Sequence, residues 1–443
     1  MKNIYLLILF FCFNVFGQVI NFSDLNLKNR LLSSNTSNGI AIDASNNAFK
    51  LDVNSNGEIE VSEALLAHKL NLNSYSWPVS SSISDLEGLQ NFQNLRVLKC
   101  SKNSISLLNL TPFVFLEEIE ANQNLISSIN ISNLSNLKKL FAYSNSINSI
   151  VNSNNDMLEN IWLSNNLLTS LDLSVFPSLK WISCDNNQLT SINLLGLSLI
   201  DQVECGNNAL TSLNLEGLTS LRILGCGLNQ ISNLNLSSLT TLNILRCGFN
   251  PIENLNINGL TNLEVLNVDN TLLTSIDASQ SGLIQLFASG CSNLQSINVR
   301  NGVYSYSDPD LLYYAFLISN NPNLLSICTD DNEQNELQYT DYNTSGTVMV
   351  YNGINCDIAV EVNMGVNDIN ISKINIFPNP TESILNIQSE TEISNIVIIN
   401  MLGQKLLSNT NQSSIDVSSL TSGTYFITIE TDNGKQTQKF IKN

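Results

Sequence analysis

The chain has 443 residues, enough for two or three domains, and only 13% of them are charged. Its formal net charge is -19, and lysine and arginine form no cluster. Because a basic stripe is needed to neutralise phosphates, this composition argues against nucleic acid and against an anionic membrane surface as partners.

The first 17 residues are typical of a secretory signal peptide. Lys2 supplies a positive charge, residues 4–16 form an apolar core, and Val15 and Gly17 stand at the −3 and −1 positions of a cleavage site that would leave Gln18 first. The alternative is a membrane anchor, but the apolar core is shorter than the roughly 20 helical residues that span a bilayer. No other segment approaches that length, so we expect secretion.

Residues 52–63 read DVNSNGEIEVSE. This spacing resembles the calcium loop of EF-hand proteins at each diagnostic position, including a glycine at position 6. The resemblance implies that Ca2+ is held by Asp52, Asn54, Asn56, Glu58 through its carbonyl, Glu60 and Glu63. The alternative is an accidental acidic, asparagine-rich turn.

The loop occurs once, whereas calcium sensors use paired loops. We therefore expect a structural clip in an N-terminal cap over residues 18–85. A helix is expected over residues 61–69, and a weaker one over residues 43–51, where Asn46 and Asn47 are unfavourable.

The middle of the chain repeats one phrase every 21 residues. Each unit is apolar at positions 1, 4, 6, 11, 14 and 16 and has Asn at position 9. Position 1 is held by Leu95, Leu116, Leu137, Leu158, Leu179, Ile200, Leu221, Leu242 and Leu263. Position 9 is held by Asn103, Asn124, Asn145, Asn166, Asn187, Asn208, Asn229 and Asn250, and then by Thr271 as the pattern decays. A period this regular predicts a solenoid, which builds a long surface from stacked units.

The phrase resembles the leucine-rich repeat, L-x-x-L-x-L-x-x-N-x-L. Positions 4 and 6 alternate with polar neighbours, which is the mark of a short half-buried strand, and the Asn follows where the chain turns and can bond free backbone groups. Twenty-one residues leave little room for a convex helix, so short 3-10 or extended stretches are expected there. We predict a parallel-β leucine-rich repeat solenoid over residues 86–330, between a small helical N-terminal cap and a C-terminal β-sandwich.

The cysteines divide into a periodic and a non-periodic group. Those that hold position 6 predict a buried thiol ladder: Cys100, Cys184, Cys205, Cys226 and Cys247. Cys291 is expected to be buried too. Cys328 and Cys356 lie outside the periodic region and are the plausible disulfide, which would belong to a disulfide loop and linker over residues 331–372.

Residues 373–443 carry short alternating strands separated by turns, which suggests a small β-sandwich. Their motifs follow the order INIFPNP, LNI, IVIIN, MLGQ, SGTY and a basic end, KFIK. This set resembles the type A C-terminal sorting domain of the type IX secretion system of Bacteroidota. The resemblance implies export by that machinery to the medium or the cell surface. The alternative is a β-sandwich without a targeting role.

The aromatic residues of the repeats gather on one predicted surface. Positions 3, 5 and 7 should face the concave side, and Phe141, Tyr143, Trp162 and Trp181 hold such positions in three successive units. Strands about 4.8 Å apart would make them one patch, and grouped exposed aromatics mark interaction sites. The alternative is that the rings pack on one another to cover the sheet.

The sequence favours binding over catalysis. Its single histidine, His68, falls on a predicted cap helix, and no nucleophile elbow or phosphate-cradling glycine loop is present. We therefore expect a non-enzymatic, secreted or cell-surface protein that binds a protein or glycan through its concave face. The alternative is a passive structural component of the cell envelope.

Overall fold

A computed structural model describes residues 17–74, 81–303, 316–330, 348–352, 359–362, 374–389, 391–400, 404–431 and 434–443. The chain forms two compact units, Met1–Gln230 and Ile231–Asn443. The predicted signal peptide lies outside the described residues except for Gly17. None of the helices within the described ranges is both long and apolar enough to cross a bilayer.

The described residues of the first unit include two short helices, α1 (Leu25–Leu32) and α2 (Val61–Ala64), and a 3-10 turn at Leu89–Asn91. Its strands are β1 (Ala41–Ile42), β2 (Lys69–Asn71), β3 (Val97–Lys99), β4 (Glu118–Glu120), β5 (Ser128–Asn130), β6 (Lys139–Phe141), β7 (Ser149–Val151), β8 (Asn160–Trp162), β9 (Ser170–Asp172), β10 (Trp181–Ser183), β11 (Ser191–Asn193), β12 (Gln202–Glu204) and β13 (Ile223–Gly225). Nine of these form one sheet in the order β1-β2-β3-β4-β6-β8-β10-β12-β13.

The cap is less helical than the sequence suggests. The helix predicted over residues 61–69 ends at Ala64, because the chain turns and enters β2, which pairs with β1. The helix predicted over residues 43–51 is absent from this described stretch, and a tight turn replaces it. The Asp43 carboxylate accepts the N–H groups of Ser45 and Asn47, and the left-handed φ of 65° at Asn46 is incompatible with a continuing helix.

Parallel strand pairing steps along the chain in units of 21 residues, so that Leu98 of β3 lies beside Ile119 of β4. The solenoid begins earlier than the predicted residue 86, because β2 already pairs in parallel with β3 through Leu70 and Leu98. The apolar repeat positions fill the interior, and the side chains at positions 1 and 4 of residues 95–230 are buried. The prediction of a leucine-rich repeat solenoid is confirmed.

The position-9 asparagines form the expected hydrogen-bond ladder. Nδ2 of Asn166 donates to the carbonyls of Leu163 (2.9 Å) and of Ala142 in the preceding repeat (3.0 Å). Its Oδ1 accepts the N–H of Ile147 at 2.9 Å. One side chain therefore joins the backbones of two repeats, and the arrangement recurs from Asn124 to Asn229.

The position before each of these asparagines is left-handed. Values of φ near +57° occur at non-glycine residues such as Lys102, Asn165 and Leu228. This conformation favours Asn and Gly and strains a side chain such as leucine. The repeat therefore turns at position 8 and is fastened at position 9.

We call the surface of positions 3, 5 and 7 the front face and the opposite side, positions 12–19, the back. Within residues 95–230 the back contains two pairs of parallel strands, β5 with β7 and β9 with β11. These stretches are extended, one of the two conformations expected for so short a repeat.

The cysteine column is buried as expected. Six cysteines of the described residues are buried and not disulfide-bonded: Cys100, Cys184, Cys205, Cys226, Cys247 and Cys291. Burial in the apolar interior raises the pKa of Cys100 and of Cys247 to about 12 and raises the pKa of Cys205 well above its ordinary value. Cys328 is disulfide-bonded. Its predicted partner, Cys356, lies outside the described residues, so the pairing of these two stays a prediction.

The second unit contains the later repeats. Its strands are β14 (Ile244–Arg246), β15 (Val265–Asn267), β16 (Ser275–Asp277), β17 (Gln285–Phe287), β18 (Ser296–Asn298), β19 (Phe316–Leu317), β20 (Ser326–Thr329), β21 (Val348–Asn352) and β22 (Ala359–Val362). Thr271 Oγ1 donates to the Val268 carbonyl at 2.8 Å and so replaces one ladder bond. The segment predicted as loop and linker, residues 331–372, is not wholly irregular, since β21 and β22 pair in an antiparallel ladder.

A β-sandwich ends the chain: β23 (Asn375–Phe377), β24 (Ile384–Gln388), β25 (Ile393–Ile399), β26 (Lys405–Thr410), β27 (Ser414–Asp416), β28 (Gly423–Thr431) and β29 (Gly434–Lys442). The sheets are antiparallel, in the orders β23-β24-β27 and β26-β25-β28-β29, around a core that includes Leu385, Ile427 and Phe440. The INIFPNP motif is hydrogen-bonded to the last strand, since Asn379 Oδ1 accepts the N–H of Ile441 at 2.9 Å.

Candidate ligand-binding face and calcium loop

Three rings of the predicted patch meet on the front face of the first unit. Phe141 of β6 lies directly beside Trp162 of β8, and their ring centroids are 4.5 Å apart. Trp181 of β10 lies diagonally across from Trp162, with centroids 5.1 Å apart in an edge-to-face arrangement. Both distances fall in the range of favourable aromatic pairs. We call these three residues the aromatic cluster.

The members of the cluster differ in exposure. Trp181 is 37% exposed, whereas Phe141 and Trp162 are half-buried. The indole N–H of Trp162 is buried and donates to no other described group. Tyr143 was expected in the same patch, but its ring contacts none of the cluster rings in the described part of the chain. The sequence therefore located three of the four residues in one group.

Paired charges border the cluster on the side of the earlier repeats. Lys99 Nζ lies 3.1 Å from Glu118 and 2.9 Å from Glu120, and Lys139 lies 3.5 Å from Glu118. Burial disfavours the charged ammonium of Lys99, but the two carboxylates outweigh it and raise its pKa. Two positive and two negative side chains thus neutralise one another beside the rings.

An acidic network centred on Asp185, a residue of the predicted concave surface, borders the cluster on the other side. Asp185 accepts the N–H of Gly206 at 2.8 Å and the hydroxyls of Ser164 and Ser183 at 3.3 and 3.2 Å. A Cβ at Gly206 would lie 3.2 Å from the Asp185 carboxylate, so the glycine makes room for it. These residues hold positions 5 and 7, so the repeat pattern predicts the face of the sheet on which they lie.

The predicted calcium loop is closed by its own hydrogen bonds. Glu63 accepts the N–H groups of Val53 (2.7 Å) and Glu60 (3.0 Å). Asp52 accepts the N–H of Asn56 at 3.0 Å. Gly57 turns the chain with φ +81°. The turn expected at loop position 6 is therefore formed.

The other candidate ligands divide into two kinds. Nδ2 of Asn56 and of Asn54 donates to the Glu60 carboxylate at 2.7 and 3.2 Å. The Glu58 side chain points away from the loop and pairs with Lys28 at 2.7 Å. The Glu58 side chain is therefore engaged by Lys28, and the role of the Glu58 carbonyl as a calcium ligand stays a prediction.

The loop concentrates acidic groups away from water. Asp52, Glu60 and Glu63 are all buried, and the nearest ammonium, on Lys50, is 3.6 Å from Asp52. Burial and the neighbouring Glu60 raise the pKa of Glu63, while hydrogen bonds from Glu63 and Asn56 lower that of Glu60. Oxygen-only donors of this kind suit Ca2+. Across the described residues, however, no group of three or more His, Cys, Asp or Glu side chains is arranged to hold a metal ion, so the donor set fits by its chemistry only.

The expected mature N-terminus is attached to this loop. The N–H of Ile20 donates to the carbonyl of Ile59 at 2.8 Å, and the carbonyl of Gln18 accepts the N–H of Val61 at 2.9 Å. Ile59 itself is fully buried. Anything that holds the loop in shape therefore also holds the first residues of the cap.

Comparison with known proteins identifies the C-terminal sandwich. Residues 375–443 match the family described as the secretion system C-terminal sorting domain. A search of curated proteins finds no match to the chain.

Several solved structures are similar to the chain. The functional domain of InlJ from Listeria monocytogenes, which includes a cysteine ladder, is 18% identical, with 87% of this chain and 92% of that chain covered and a TM-score of 0.48. An internalin (InlF) from the same species is 18% identical, with 75% and 99% covered and a TM-score of 0.46. YopM, a leucine-rich effector protein from Yersinia pestis, is 21% identical, with 59% and 76% covered and a TM-score of 0.40.

The sorting-domain match agrees with the motif order and the sandwich seen at the end of the chain. Such domains direct proteins through the type IX secretion system to the cell surface or the medium. The chain therefore joins a leucine-rich repeat solenoid to a secretion-system sorting domain, and it is a secreted or cell-surface protein.

Proposed function

We propose that the protein binds a protein or glycan ligand on its front face, with the aromatic cluster at the centre of the contact. The observation that carries this proposal is the partly exposed ring of Trp181 over Trp162, whose buried indole N–H has no acceptor among the residues that the structure describes. Exposed aromatic rings on a rigid sheet offer large contact area with little loss of side-chain freedom. Neutralised charges on one side and Asp185 on the other would supply polar contacts at the rim.

The second candidate is a passive structural component of the envelope without a specific ligand and, like the first, without catalysis. The tight contacts between the rings favour it, since Phe141 and Trp162 already cover part of each other. In that case the cluster stabilises the sheet and recognises nothing.

A paired variant separates these functions. Trp162→Ala with Trp181→Ala should abolish binding on a glycan and peptide array and to host or bacterial surfaces, while the circular dichroism spectrum stays unchanged. The control is Leu195→Ala with Leu199→Ala, which removes exposed apolar side chains elsewhere on the same unit. Equal binding by both variants, or no binding by the native protein, would favour the structural candidate.

We further propose that the loop at residues 52–63 binds Ca2+ as a structural clip of the cap. Asp52, Asn54, Asn56, Glu60 and Glu63 would supply side-chain oxygens and Glu58 its carbonyl. The cation would neutralise buried carboxylates and hold the segment from Gln18 to Ile20 through the backbone bonds at Ile59 and Val61. The flanking helix pair of an EF-hand is not formed, so the loop would brace the cap rather than open it.

The calcium proposal has a matched pair of variants. Chelation should lower the Tm of the native protein, and Glu63→Gln should abolish that dependence. Glu58→Gln should retain it, because only its backbone carbonyl is used and its side chain pairs with Lys28. A Tm indifferent to chelator, or lost dependence in both variants, would refute the proposal.

Export is the third part of the proposal. Residues 1–17 would direct the chain out of the cytoplasm of a member of the Bacteroidota, and the sorting domain would engage the type IX machinery. A chain that lacks residues 374–443 should accumulate in the periplasm. Its appearance in the medium would contradict this route.

A further inference from the structure

The back of one repeat in the first unit lacks the apolar side chains that fill its neighbours. Positions 16 and 19 are buried and apolar in the other repeats of residues 95–220: Leu110 and Phe113, Ile131 and Leu134, Leu173 and Phe176, Leu194 and Leu197, Leu215 and Leu218. In the repeat of residues 137–157 the same positions hold Asn152 and Asn155. Two apolar side chains are therefore missing from one level of the core.

The two asparagines fill this space incompletely. Asn155 is buried and turned to the backbone, because its Nδ2 donates to the carbonyls of Ile131 (2.9 Å) and Leu134 (3.2 Å). Asn152 is half-buried, and its side chain makes no hydrogen bond within the described residues. Neither replaces the leucine that a regular repeat would place there.

A cavity of about 290 Å3 lies at this level. Its floor is apolar and fully buried, and includes Leu140, Ile161 and Phe176. Its exposed lining residues, at the mouth, are Asn148, Ser149, Ser170 and Asp172. The volume is about twice that of an engineered apolar cavity of about 150 Å3 that admits benzene, and close to the lower limit of ligand pockets, about 300 Å3.

The backbone is open at the same place. On the back, the N–H of Asn148 bonds to the carbonyl of Ser127, and that of Thr190 to Thr169, each at 3.0 Å. The equivalent bond between Thr169 and Asn148 is absent from the described stretch 81–303, and β7 pairs with β5 but not with β9. The mouth therefore lies between two unpaired strand edges.

The unpaired edges of the back strands do not create the cavity by themselves. Within residues 95–230 the back strands also stop after β11, but the interior there is filled by Leu194, Leu197, Leu215 and Leu218. The repeat with the cavity differs from those repeats in having Asn152 and Asn155 where they have buried apolar side chains. Removal of apolar side chains leaves space when the surrounding structure cannot collapse, and the front-face strands β6 and β8 remain paired here.

The mouth indicates the polarity of the ligand. Asp172 Oδ1 accepts Ser174 Oγ at 2.6 Å and Asn193 Nδ2 at 2.9 Å, and these bonds keep the carboxylate in place. Its Oδ2 has no partner in the described part of the chain. The side chains of Asn148 and Asn152 are also available. A carboxylate and two amides favour a donor head group and disfavour an anion.

From this geometry we propose that the cavity behind Leu140 and Ile161 is a binding site for a small amphiphile. The ligand has one apolar ring or short alkyl chain, which occupies the floor, and an ammonium or hydroxyl head, which lies at Asp172 and Asn152. The site is on the back of the solenoid, so it is independent of the front-face function proposed above.

The test uses the full chain and three soluble probes of equal chain length. Heptylamine and heptan-1-ol should bind in isothermal titration calorimetry and raise the Tm, and heptanoate should bind most weakly. Asn152→Leu, which restores the regular repeat, should keep the fold, raise the Tm without ligand and weaken heptylamine binding by about tenfold or more. Asn130→Leu adds the same side chain at an exposed position one repeat earlier and should bind normally.

Two further measurements make the result decisive. Xenon should occupy the floor beside Leu140 and Phe176 in a pressurised crystal of the native protein but not of Asn152→Leu. The variant Trp162→Ala with Trp181→Ala should bind heptylamine as the native protein does. Failure of all three probes to bind, unchanged binding by Asn152→Leu, unfolding of Asn152→Leu or loss of binding in the tryptophan variant would each overturn the proposal.

Discussion

Replacement of one ladder asparagine tests how two repeats are held together. In Asn166→Leu the buried N–H of Ile147 loses its acceptor, and the carbonyls of Ala142 and Leu163 lose a shared donor. A buried donor left without a partner costs about 1–3 kcal/mol, and each lost carbonyl bond adds about 1 kcal/mol. We therefore expect the free energy of unfolding to fall by about 3–5 kcal/mol.

Urea unfolding measures this loss, with Trp162 and Trp181 as fluorescent reporters in the affected and following repeats. Asn166→Thr should cost less, because Thr271 shows that a hydroxyl at position 9 keeps one bond, to the Val268 carbonyl. The control is Asn136→Leu, which replaces a half-buried asparagine whose one hydrogen bond, to the Val114 carbonyl, is 3.5 Å long; it should stay within about 0.5 kcal/mol of the native protein. If Asn166→Leu also stayed within that margin, the ladder would not hold the repeats together.

Three other predictions concern single side chains of the repeats. Leu228→Asn should raise the free energy of unfolding by about 1 kcal/mol in urea titrations, since φ is +57° there and the side chain is 51% exposed. Glu117 lies between Arg96 and Lys138, and chiefly the hydrogen bond from Arg96 lowers its pKa below 4.5. The contribution of the ionised Glu117 to the free energy of unfolding, at most about 1 kcal/mol, is therefore fully present above pH 4.5 and is lost as the pH falls through the lowered pKa. Glu117→Gln should flatten this part of the pH–stability curve. Cys205 should resist a thiol reagent at pH 8 and react after unfolding, because burial raises its pKa; rapid labelling of the folded protein would contradict this.

The repeat pattern predicted the solenoid because in each repeat the apolar positions fill the interior and the asparagine bonds the backbones of two repeats. The pattern did not predict that β2, which contains Leu70, belongs to the solenoid. The spacing from β2 to β3 is 28 residues rather than 21, and a parallel strand outside the period leaves no periodic signal. The cap helices were overestimated because helix propensity reports neither the local hydrogen bonds of Asp43 to Ser45 and Asn47 nor the pairing of β2 with β1.

The front-face site was predicted in part, for a reason of geometry. Column positions showed that Phe141, Trp162 and Trp181 share one face, but the contacts depend on side-chain direction across the strands. Tyr143 holds the same face two residues after Phe141 and yet makes no contact with the other rings. The cavity could not be predicted from the period, because Asn152 and Asn155 are only two irregular positions and only the packing of their neighbours shows that the space stays open.

Each buried cysteine also reports on the opening of its own repeat, because a thiol reagent reaches it only when that repeat unfolds. The thiols of the cysteine column, from Cys100 to Cys247, and the thiol of Cys291 are each buried inside a particular repeat. Alkylation at any one of them requires that repeat to open, so mass spectrometry of a timed labelling reaction would read the order in which the repeats come apart. The native chain therefore carries its own set of positional probes, and the order of opening can be measured without introducing a single label.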